Sequence, residues 1–109
     1  MATVTLSSTN GGIGGGSAVA GVVDVVTAGF APSQGFVVGV YKGETGQVVV
    51  GLRSDLSGTA GAAACGEPAF DGKEVVVTAE QLQLANAGLK TIYVTAVSGT
   101  VPYWVKAVP

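Results

Sequence analysis

The sequence contains no histidine and a single cysteine, which leaves its carboxylates as the residues to weigh first for catalysis. Without an imidazole there is no Ser–His–Asp or Cys–His relay. One thiol cannot fill a tetrahedral zinc site either. Glu67, Asp71 and Glu74 form the one acidic cluster. Two carboxylates flanking a cleft can cleave glycosides, but Glu67-Pro68 and Asp71-Gly72 are also ordinary turn chemistry. Asp55-Leu-Ser-Gly58 lacks the alternating oxygen ligands of a calcium loop. The run Gly11-Gly-Ile-Gly-Gly-Gly16 is followed by Ser17 and a Val-rich stretch. It therefore has neither the lysine of a phosphate-binding loop nor the helix of a dinucleotide fingerprint, and it reads as a flexible linker. The expectation is a protein without catalytic residues, metal or cofactor.

Composition narrows the class further. Charged residues make up 11% of the 109 positions, against about 25% in ordinary domains, and the mean hydropathy is +0.54. The net charge is −2, and the nearest pair among the five Lys and Arg, Lys42 and Arg53, is eleven positions apart. A phosphate-binding surface needs clustered basic residues, so nucleic acid is an unexpected partner. The charge-poor stretch 2–23 is interrupted by the glycine run and fails as a membrane-spanning helix. The first six residues, Met-Ala-Thr-Val-Thr-Leu6, lack the basic and apolar regions of a signal peptide. Synthesis in a cytoplasm is expected, and Cys65, between small residues, reads as an inert thiol.

The elements that must carry these residues are strands. Alternation or β-branched runs mark 3–7, 19–27, 36–41, 47–53, 73–78, 90–97 and 101–108, with a further short strand at 62–65. In 19–27 the odd positions Val19, Val23 and Val25 read as the drier face and Asp24 as the wetter one. Two hairpins are expected, one around residues 42–46 and one around 98–100. A helix over 79–87 is signalled by Thr78 with Gln81 as a capping box, Val77 with Leu82 as a hydrophobic staple, and Gly88 as the closing residue. The pattern predicts an all-β fold: an antiparallel sandwich or small barrel, Ig-like or jelly-roll-like, with one short helix. Residues 1–17 are read as an N-terminal strand or arm with its linker, and 18–109 as a single sandwich domain. On that reading residues 1–16 are dispensable for folding.

The missing charges point to assembly. Residues 1–41 contain Asp24 and no other Asp, Glu, Lys or Arg, whereas a free-standing domain spreads charge to stay soluble and guard its strand edges. Trp104 shares a strand face with Lys106 and is a natural interface anchor. Phe30 flanks an apolar loop, and Val4, Leu6 and Ile13 lie in the charge-free arm. These five residues are the candidate contact positions.

Two resemblances add to this. Residues 84–96, in which a glycine precedes a strand of Tyr, Val and Ala, resemble the late strands of bacterial and phage immunoglobulin-like domains. In overall style, a chain beginning Met-Ala-Thr-Val-Thr, rich in Gly, Ala, Val and Thr and free of His, resembles small virion proteins of tailed bacteriophages. The resemblance implies a capsid decoration, or cement, protein. Such proteins form trimers or dimers that clamp the major capsid protein or other virion subunits and reside in the virion. A tail, baseplate or fibre component, and an adhesive or carbohydrate-binding sandwich using Trp104 and Tyr103, are the alternatives.

Overall fold

The computed structural model describes residues 3–7, 11–30, 32, 34–59, 66–84 and 90–108. The strands are β1 (Thr3–Leu6), β2 (Ile13–Val19), β3 (Asp24–Ala28), β4 (Gly35–Val40), β5 (Val48–Gly51), β6 (Glu67–Ala69), β7 (Val75–Val77), β8 (Thr91–Ala96) and β9 (Thr100–Val108). Among the described residues one helix, α1 (Ala79–Leu84), lies between β7 and β8. The strands form two sheets, β1-β3-β8-β5-β6 and β2-β9-β4-β7, so the all-β sandwich expected from the alternation is the fold. All pairs are antiparallel except β1 with β3, which is parallel.

The core lies between the sheets. Val26, Ile92, Val94 and Val48 come from the first sheet, and Phe36, Val38, Val75, Val105 and Tyr103 from the second. Leu82 of α1 and Val77 just before it join the same cluster, as a hydrophobic staple requires. The capping box is formed in both directions. The Thr78 N–H donates to Gln81 Oε1 at 2.9 Å, and the Gln81 N–H donates to Thr78 Oγ1 at 3.2 Å. Gly88, the expected C-terminal cap, and the short strand expected at 62–65 with Cys65 lie outside the described residues.

Three expectations are corrected. The glycine run is not a linker: its second half is β2, paired along its whole length with β9. The glycines are there because other groups occupy the space a side chain would need. A Cβ at Gly14 would lie 2.5 Å from Leu6 Cδ2, one at Gly15 would lie 2.6 Å from the Tyr103 carbonyl oxygen, and Gly16 rests on the Tyr103 ring. Because Leu6 is fully buried in the shared core and β2 pairs with β9, β1 and β2 are part of the fold and not a dispensable arm.

Second, neither expected hairpin forms. β4 and β9 lie in one sheet and β5 and β8 in the other, so residues 41–47 and 97–99 carry the chain across the sandwich. Gly43 and Gly99 take the positive φ values (88° and 64°) that these reversals need.

Third, the faces of β3 are inverted. Asp24, Val26 and Ala28 point inward and Val25 is the outer residue. The continuous valine run from 19 to 27 is also broken. Gly21, at φ 80°, turns the chain between β2 and β3. The buried Thr95 hydroxyl holds that turn by donating to the Val22 carbonyl at 2.8 Å.

Candidate docking face and the buried polar pair

The sheet β2-β9-β4-β7 has an outer face whose composition follows from period-two alternation. Register places Val76, Val37, Lys106 and Ile13 in one row across the four strands. The next row holds Gly39, Trp104 and Gly15. Pro102 stands opposite Ser17 and Thr100 opposite Val19, with the exposed Tyr41 just beyond β4. Ile13 is 53% exposed and Val76 52%. Lys106 is the sole charged residue in these rows.

Trp104 is held by the glycines beside it. A Cβ on Gly39 would meet Cζ2 of the indole at 2.4 Å and Cε2 at 2.7 Å, so the ring lies directly over bare backbone. At the β7 edge, Trp104, Val76, Phe70, Lys73 and Glu74 border a shallow recess of about 660 Å³, with the Lys73 ammonium 5.7 Å from the Phe70 ring centre.

Of the five candidate contact residues, Ile13 and Trp104 are brought onto this face. Leu6 is not, being fully buried, and Val4 and Phe30 pack against the core from partly buried positions. The structure thus removes Leu6 from the contact set. Val37, Val76 and Tyr41 belong to the face and were missed. The alternation that paired Trp104 with Lys106 marks the face on β9, but the strand order that adds β7 and β4 beside it is not written in local sequence. Tyr103 points into the core, opposite to Trp104, which rules out a sugar platform made of those two residues.

Two of the aspartates hold neighbouring groups. Asp71 Oδ2 accepts the Gly43 N–H at 3.0 Å, tying the 70–73 turn to the 41–47 crossing. Asp55 pairs with Arg53 at 2.7 and 2.9 Å on the surface. Glu67 and Glu74 are exposed. Among the described residues no three His, Cys, Asp or Glu side chains come together to hold a metal.

The other polar feature is internal. Tyr103 reaches across the sandwich from β9, and its hydroxyl donates to Asp24 Oδ2 on β3 at 3.0 Å. Both residues are buried. Burial, the charge of Asp24 and this hydrogen bond, in that order, raise the Tyr103 phenol well above its ordinary 10.0. Among the described residues no buried side-chain nitrogen or oxygen lacks a partner, so the pair cross-links the two sheets. No described helix is long and apolar enough to cross a membrane. Comparison with known proteins finds no matching family model, no matching curated protein and no matching solved structure.

Proposed function

We propose that this chain is a non-enzymatic structural protein that works by assembly, most concretely as a decoration protein on a bacteriophage capsid. The observation that carries the reading is the outer face of β2-β9-β4-β7, an apolar sheet surface with one charged residue and an indole seated on glycine. Contiguous apolar faces of this kind mark interaction sites on folded proteins. Four strands about 4.8 Å apart and averaging about six residues in length cover roughly 400 Å², about half of one partner's share of a standard interface. A surface of that size holds firmly when several copies engage at once, as they do on a lattice of capsid subunits. The virion assignment itself rests on the compositional resemblance to small phage virion proteins.

The test is uptake by purified phage heads and separated tails, measured by co-sedimentation. Saturable binding to heads that is lost in Trp104→Asp supports decoration, and binding to tails alone moves the protein to the tail, baseplate or fibre. Uptake by neither particle refutes the virion reading.

A second reading, glycan adhesion, is favoured by the recess where Trp104 and Phe70 stand beside Lys73 and Glu74. Glycan-array binding abolished by Trp104→Ala with the fold retained supports it, and a blank array with the wild-type protein removes it.

A further inference from the structure

We propose that two copies of this chain pair edge to edge through β2, antiparallel, about a two-fold axis at Gly15. This deepens the assembly part of the function proposed above by naming the surface of self-association. Among the described residues the sandwich ends in four edge strands: β1, β6, β2 and β7. β6 and β7 have three residues each, β6 including Pro68, and β1 has four. β2 has seven, with no proline and no charged residue. Natural proteins guard long edges with charge, proline or a bulge, and β2 has none of these.

The hydrogen-bond phase of β2 fixes which groups are open. The Ala107 N–H donates to the Gly12 carbonyl at 2.8 Å. Alternation then turns Gly14, Gly16 and Ala18 toward β9, and Ile13, Gly15 and Ser17 outward. Val19 ends the run, because its carbonyl already accepts the Val22 N–H at 3.0 Å. The open groups are therefore three residues symmetric about Gly15.

A second β2 placed antiparallel on this edge sets Ile13 against the other copy's Ser17, and Gly15 against Gly15. All six outward N–H groups of the two strands then meet an outward carbonyl. Gly15 carries no side chain at the axis, and the half-exposed Ile13 is covered by the neighbouring strand. Charge does not oppose the pairing. The nearest like charges are the two Lys106 side chains, each in register with its own Ile13; three strand spacings across and four residues along, they stand about 20 Å apart, beyond the screening length of about 10 Å at moderate salt. Pairing also joins the two apolar outer faces into one eight-stranded surface of roughly 800 Å², the per-partner size of a standard interface. An unrelated peptide can add to the edge through the backbone, but only a copy of β2 offers this matched spacing and the doubled face.

Light scattering and amide exchange across a concentration series test the pairing. The wild-type mass is expected to double with concentration, and the Ile13, Gly15 and Ser17 amides to slow by at least about tenfold in the same range. Ile13→Lys/Ser17→Lys, which opposes like charges across the axis, is expected to stay monomeric with the wild-type circular dichroism. Ile13→Lys/Ser17→Glu, which opposes unlike charges, is expected to pair again. A wild-type protein that is monomeric throughout, a lysine pair that still dimerises, or exchange at these amides that ignores concentration overturns the proposal. None of these outcomes decides uptake on phage heads, which the co-sedimentation test judges separately.

Discussion

Removing the Tyr103 hydroxyl tests the cross-sheet pair with almost no change in volume. In Tyr103→Phe, Asp24 loses a buried hydrogen bond of 3.0 Å. A hydrogen bond to a charged group contributes about 1.5–3 kcal/mol. Asp24 has a further interaction in the fold, so the full penalty of an isolated buried charge does not apply, and about 2 kcal/mol of destabilisation at pH 7 is expected. The pH dependence supplies a second signature. Because the folded-state phenol titrates above its ordinary 10.0, the native protein keeps the proton that the unfolded chain loses. The contribution is fully present below pH 10 and is lost as pH rises beyond it, at about 1.4 kcal/mol per pH unit. At pH 11 the wild type has surrendered about 1.4 kcal/mol through this group and the phenylalanine variant none, so the gap between them narrows to under about 1 kcal/mol. Urea unfolding followed by fluorescence of Trp104, the single tryptophan, measures both values. Equal stabilities at pH 7, or a gap that stays constant to pH 11, refute the argument.

Three further outcomes follow from named contacts. Leu6→Ala removes a fully buried side chain packed under Gly14 and is expected to cost about 2–5 kcal/mol in urea unfolding, the opposite of what a dispensable arm would give. Gly39→Ala places a methyl 2.4 Å from the Trp104 indole. The ring must lift, at a cost of about 1–3 kcal/mol, with a red-shifted emission maximum. Thr78→Ala deletes one arm of the capping box and is expected to lower the melting free energy by about 1 kcal/mol, with Thr78→Ser recovering most of it.

The local signals in the sequence were legible wherever one element decided the outcome. The capping box at Thr78 and Gln81 is made as the spacing says, and Ile92, Val94 and Ala96 alternate inward as written. Signals that depend on which strands meet were misread. Gly14, Gly15 and Gly16 resemble a linker until Leu6 and Tyr103 are placed against them. Asp24 resembles a surface residue until Tyr103 arrives from a strand 79 positions away. The turn residues at Gly43 and Gly99 fit a hairpin and a sheet-to-sheet crossing equally well, since both need a reversal. For the docking face, Trp104 follows from its alternation with Lys106 and Ile13 from the missing charges of residues 1–41, whereas Leu6 carries the same signature as Ile13 and is buried. Type alone cannot separate an interface residue from a core residue.

The position of β9 has a consequence for how the chain comes to be folded. It follows the other described strands in chain order, yet it lies between β2 and β4 and gives the core Tyr103 and Val105. Until residues 100–108 have been synthesised, β2 has no partner and β4 has only the three residues of β7 beside it. Pairing β2 with β9 also closes most of the chain into one loop. Non-local strand topologies of this kind fold on the millisecond-to-second scale. A nascent or truncated chain lacking β9 would leave its valine-rich strands exposed, so closure of the sandwich waits for residues 100–108.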